Sequence, residues 1–169
     1  MGALKRHPLE GCPSYPLATT MKTIFDAASI EVIRGRMHHL RPDAPALWGK
    51  MNAPQMVCHL IDAFRIPLGE EPVTVRWTPL RIYPLRWLLA YVLPWPKGKL
   101  PTTPEFQRTK PSTWEADQAA WKAALERFVE HGRKGGPFGP HRAFGVLSNS
   151  EWGRLVYLHC DHHLRQFGA

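Results

Sequence analysis

The stretch 147–168 constrains this chain most. Ser148 and Glu151, three residues apart, form a capping box. The hydroxyl accepts from a free amide of the first turn, and the carboxylate reaches back to the Ser148 N–H. Gly168 stands where a helix end asks for a left-handed residue. Between them Trp152, Leu155, Val156, His159, His163 and Gln166 recur at steps of three or four, so one amphipathic helix puts them on one face. Such a face is normally buried. Two histidines one turn apart on a buried apolar stripe need a reason, and a metal ion is the sharpest one.

The remaining periodic segments predict three more helices. Asp26 can cap a helix over 27–40, with Ile30, Ile33 and Met37 inward. His38 and His39 fall in its last turn, complement the helix dipole and read as surface residues. Asn52 with Gln55 is a variant capping box, Pro54 suits a first turn, and the helix runs over 52–68. Met56, His59, Leu60, Ala63 and Phe64 share one of its faces. Ser112 with Glu115 opens a helix over 112–131, ended by Gly132. Its inner stripe is Trp114, Trp121, Leu125, Phe128 and Val129. Four main helices joined partly by long connections predict an all-α helical bundle.

At 169 residues the chain fits one domain. Residues 1–20 lack periodicity and are broken by Pro8, Gly11, Pro13 and Pro16. They read as a loose extension, with the bundle domain over 21–169 and Met21 as an alternative start of translation. A 44% hydrophobic fraction and seven tryptophans supply a core. Three cysteines, with no short C-x-x-C spacing, argue against a disulfide framework or a zinc finger and fit a reducing compartment. The net charge of +8 comes without a nucleic-acid motif, so it reads as a solvated basic surface.

The connection 70–111 is proline-rich and basic, with seven Lys and Arg against three Glu. A short apolar helix is expected over 81–93. The segment reads either as a wall that attracts an anion or as a cover for the bundle. Its uncharged run, 87–96, is far shorter than the roughly 20 residues of a membrane span. No apolar run follows Lys5 and Arg6, as a secretory signal would require. The expected location is cytoplasmic.

His59 is a third histidine on an apolar stripe. Three imidazoles from two helices are the natural count for an open metal site, since three protein ligands leave a tetrahedral zinc one further position. His162 rivals His163 as the partner of His159, but lies toward the edge of the stripe. Taken alone, His59 reads more often as a hydrogen-bonded core residue, and the His159–His163 spacing is common in ordinary helices. Asp62 reads either as a carboxylate that orients a histidine or as a solvated surface acid, Asp161 beside His159 reads as a surface acid ahead of that orienting role, and Gln166 either hydrogen-bonds near the metal or caps buried polar groups. His141 can reach the site from a loop. Cys58 and Cys160 adjoin the histidines, but one residue turns about 100° around a helix and carries them off that face.

Several motifs carry a resemblance. They are Trp48-Gly49-Lys50-Met51, Gln55 to His59, Leu93-Pro94-Trp95-Pro96-Lys97-Gly98, Phe144 to Ser148, Glu151-Trp152-Gly153, and the run from His159 through His162-His163-Leu164-Arg165-Gln166-Phe167 to Gly168. Together they resemble an uncharacterised branch of the DinB/YfiT-like superfamily over nearly all of 21–168. The resemblance implies an up-down-down-up four-helix bundle, here with the long basic connection carrying its short extra helix. It implies one divalent metal, zinc or nickel, held by His59, His159 and His163. It further implies activation of a low-molecular-weight thiol for transfer to a small electrophile. Metal-assisted hydrolysis and a non-catalytic, metal-stabilised binding or stress-related role are the alternatives. The expected partner is a small molecule, not nucleic acid or a membrane, with a homodimer as the superfamily's common assembly.

Overall fold

In the computed structural model, residues 21–88 and 104–169 are described. Among them the chain is mostly helical and has no strand; His141 and Gly145 form one isolated bridge. The expected extension 1–20 and the turn at 93–98 lie outside the described residues.

The helix α1, Ala27–His39, buries Ile30, Ile33 and Met37 and leaves His38 and His39 exposed. It stops one residue short of the expected end, because Leu40 is extended. Asp26 holds the cap position without capping. Its carboxylate turns back to accept from the Thr23 N–H at 2.9 Å, closing the turn that precedes the helix.

The helix α2, Ala53–Arg65, begins at the expected capping box: Asn52 Oδ1 accepts from the Gln55 N–H at 2.9 Å, and Gln55 Oε1 from the Asn52 N–H at 3.0 Å. It ends at Arg65 rather than near 68, and a turn closed by left-handed Gly69 follows. Ten of its thirteen residues are buried, which makes it the central helix of the fold. Between α2 and the next long helix the expected extra helix is broken up. Its described part is a 3-10 turn, Pro79–Arg81, and the short α3, Leu85–Trp87. Residues 89–93 of that prediction lie outside the described residues.

The helix α4, Trp114–Arg133, starts one residue late, on Thr113, whose hydroxyl accepts from the Ala116 N–H. The expected Ser112–Glu115 box does not form. The buried Asp117 carboxylate takes both the Ser112 amide and its hydroxyl, at 3.1 and 3.0 Å. Gly132 lies inside the helix, and the left-handed residue beyond it is Gly135. The helix α5, Asn149–Gln166, carries the expected Ser148–Glu151 box and ends ahead of left-handed Gly168.

The helix α2 packs along α4 and meets α5, while α1 packs along α5. The helices α1 and α4 are tied by Gln118 Nε2, which donates to the Met37 carbonyl, and by Arg34 with Glu126. Phe64, Phe128, Leu60, Leu125, Met37 and Leu164 form the closed centre of the core. Phe25 caps one end, stacked on Phe128 with centroids 5.8 Å apart. A Cβ on Gly153 would sit 2.5 Å from the Phe25 ring, so only glycine lets α5 pass there. Among the described residues, no helix is long and apolar enough to cross a membrane.

Candidate metal centre

The face of α2 that turns toward α5 presents His59. The face of α5 presents His159 and His163, one turn apart. The structure brings these three imidazoles together. His159 Nε2 lies 2.9 Å from His59 Nε2 and 3.1 Å from His163 Nε2. One ligand atom from each of the three falls within 4.8 Å of the others. Two nitrogens on one tetrahedral ion at roughly 2.1 Å sit about 3.4 Å apart, so the cluster is close to the size a single ion needs. His59 and His163 are 6% and 7% exposed, and His159 is partly open.

The outer nitrogens fix the ring states. His59 Nδ1 is 3.0 Å from the Phe106 carbonyl oxygen, which can only accept, so Nδ1 carries the proton. His163 Nδ1 is 2.8 Å from Gln166 Oε1 and donates to it. The Gln166 amide is oriented by its own Nε2, which donates to the Trp48 carbonyl at 2.6 Å. That places the Gln166 oxygen, not its nitrogen, against His163. Gly49 permits the approach: it has φ +80°, and a Cβ there would lie 2.6 Å from Gln166 Nε2. With both Nδ1 protons spent, His59 and His163 in their neutral forms aim Nε2 lone pairs at the position between the rings. A single proton on His159 Nε2 cannot satisfy both lone pairs fully. A cation accepts all three at once, so the donor set fits a metal ion.

The electrostatics agree. Burial pushes His163 down to about 3, helped by the charge of His59. Burial lowers His59, and burial with the neighbouring His163 and His59 drives His159 well below its ordinary value. Near neutral pH all three are therefore uncharged, the state in which imidazole ligates a metal.

The other candidates take different places. Asp62 is fully buried but touches no ring of the cluster by a hydrogen bond. Its carboxylate accepts from the Arg108 N–H at 2.8 Å and from the Thr109 N–H and hydroxyl at 3.1 and 2.5 Å. These residues follow Phe106 by two and three, so Asp62 anchors the strip whose carbonyl holds His59. Asp161 is not a solvated acid: it pairs with Arg36 at 2.6 Å and Arg165 at 3.0 Å, away from the rings. His162 lies outside the cluster, edge-on to Trp48. His141 Nδ1 accepts from the Ala143 and Phe144 amides, tying the loop before α5, and burial lowers it to about 4. Cys58 is pushed up to about 11 by burial, then by Asp117 and Asp62; Cys160 is pushed up to about 12, by burial first. Both stay protonated, buried thiols without nucleophilic character.

Two partners had no sequence signal for the role they play, although Trp48 stands in one of the resemblance motifs. Phe106 and Trp48 act through backbone carbonyls, which every residue type carries, so nothing in their identity marks the role.

Residues 97–169 match the model of a family described as a protein of unknown function, DUF1569. The match contains His159, His163 and Gln166 but not His59. No curated protein and no solved structure matches the chain.

Proposed function

We propose that this chain is a divalent-metal enzyme of the DinB-like kind, its four long helices forming an up-down-down-up bundle around an ion held by His59, His159 and His163. One observation carries the reading: three Nε2 atoms meet at one point while the Nδ1 protons of His59 and His163 are committed to carbonyl oxygens. The resemblance in the His159–Gly168 run and around Gln55–His59 supports it from the sequence. Zinc and nickel both suit three imidazoles.

The proposed reaction is transfer of a low-molecular-weight thiol to a small electrophile. The thiol S–H gives up its proton to solvent, sulfur bonds to the electrophilic carbon, and the bond to the leaving group breaks so that it departs with the electron pair. The bound ion would supply a lowered thiol pKa near neutral pH. The chain's own part is to hold three neutral imidazoles, to keep His59 oriented through Phe106, and to keep His163 oriented through Gln166. Among the described residues no thiol competes, since Cys58 and Cys160 are buried and protonated.

Elemental analysis of untagged protein tests the centre. Near one equivalent of zinc or nickel is expected, and less than a tenth of that in His59→Ala and His163→Ala. No metal in the parent, even after incubation with either ion, would sink the metal reading. With metal present, consumption of thiol and electrophile that stops on chelation supports transfer. Substrate cleavage without added thiol would replace it with hydrolysis, and neither activity would leave a metal-stabilised binding protein.

A further inference from the structure

We infer that the connection after α2 forms a docking surface for an anionic lipid bilayer, through exposed aromatic and apolar side chains interleaved with arginines on residues 75–87. The inference is independent of the metal centre. Among the described residues, ten large hydrophobic side chains are exposed, and six of them fall in this one stretch: Val75, Trp77, Ile82, Tyr83, Leu85 and Trp87. Trp77 and Tyr83 are each 71% exposed. A seventh, Val146, is 79% exposed and lies beside them, because Arg86 donates to its carbonyl at 3.1 Å. Scattered exposed apolar residues need no explanation, but a contiguous group does.

The surface is built onto the fold. The Arg76 N–H donates to the Arg142 carbonyl at 3.0 Å, and the Thr78 hydroxyl donates to the Ala143 carbonyl at 2.7 Å. Arg86 pairs with Glu151 of the α5 capping box at 3.0 Å. The stretch is thus fastened at three points to the loop 142–146 and the start of α5, with its apolar side chains turned outward.

Charge selects the occupant. Arg76 is exposed among the apolar residues beside half-buried Arg81, Arg86 is held by Glu151, and the sequence from 72 to 88 holds three basic residues and no acid. The whole chain carries +8. A second copy meeting this face around a two-fold axis would set arginine against arginine. An anionic bilayer accepts both components. Tryptophan and tyrosine settle at the headgroup level, aliphatic side chains enter the acyl boundary, and the exposed Arg76 meets lipid phosphates. The expectation of no membrane partner rested on the lack of a spanning segment, and surface association requires none.

Co-sedimentation of the full chain with vesicles tests this, using phosphatidylglycerol mixed with phosphatidylcholine against phosphatidylcholine alone. Binding to the anionic vesicles, weakened by salt, is expected, with little binding to neutral ones. Trp77→Ser with Tyr83→Ser should lower the partition at least tenfold. Arg76→Ala should lower it about fivefold, the share of one basic residue at such a surface. Each altered side chain is exposed, so an unchanged circular-dichroism spectrum shows that the fold persists. No binding to anionic vesicles, or equal binding by the variants, would overturn the inference. So would a dimer in sedimentation equilibrium that the double variant abolishes, since the face would then belong to a second copy.

Discussion

Gln166 acts on the cluster from one bond away. An imidazole can protonate either nitrogen, and a metal ligand must keep the proton on the side facing away from the ion. At His163 that choice is made by the Gln166 oxygen, and the Gln166 oxygen is itself placed by the Trp48 carbonyl. Removing the acceptor frees the ring to turn and to change tautomer. Gln166→Leu should therefore weaken metal binding about 10- to 100-fold, the usual cost of losing a partner that orients a ligand. Gln166→Glu keeps an acceptor for His163 but loses the donor to the Trp48 carbonyl, so it should lose less affinity than Gln166→Leu without matching the parent. Metal titration of both variants checks this, and equal losses in the two would mean that packing rather than tautomer control is at stake. The sequence marked Gln166 by its step of three from His163, which is a property of helix geometry. It could not mark Trp48, whose contribution is a carbonyl more than a hundred residues away in sequence.

At the scale of elements, local chemistry was legible and competition was not. The boxes at Asn52–Gln55 and Ser148–Glu151 form as their sequences predict, because each closes within one turn. The Ser112–Glu115 box fails because Asp117, only five residues along, is buried and takes the Ser112 donors itself. The faces of α2 and α5 were legible from their periodicity, and with them the three histidines. Asp62 was legible as a candidate to orient a histidine, but its partners were not, since 108 and 109 lie across the long connection. The helix α2 grips that strip with two side chains one turn apart: His59 on the Phe106 carbonyl and Asp62 on the amides beyond it. Asp62→Asn keeps the volume but replaces an acceptor for three donors with a weaker one. We expect about a tenfold loss of metal affinity, with a loss of stability of about 1–3 kcal/mol from the weakened buried hydrogen bonds. His59 Nδ1–H should lose its protection in NMR spectra of the variant. Stability lost with metal affinity intact would show that Asp62 serves the fold alone.

For the molecule as a whole, burying neutral histidines sets different pH trends for the empty fold and for the bound ion. An unfolded histidine titrates near 6.5. In the folded chain His163 is held at about 3 and His141 at about 4, with His59 lowered and His159 well below its ordinary value. Their contribution to stability is complete above about 6.5, where neither state binds the proton. Below it the unfolded chain takes up protons that the folded chain refuses, so stability falls with pH down toward the folded values. The metal-free protein should show a level thermal midpoint above pH 7 and a steady decline from about 6.5 toward 4. Metal affinity should behave otherwise. Exposed histidines lose their ion below about 6.5, because each must first shed a proton. Here burial holds the rings below the range of a free imidazole, so the dissociation constant should rise less steeply, as pH falls from about 7.5 to about 5.5, than it does for exposed histidines. Competition titration with a chelator of known pH dependence measures it. A steep loss beginning at 6.5 would mean that the three rings protonate as solvated histidines do, and that the closed cluster opens in solution.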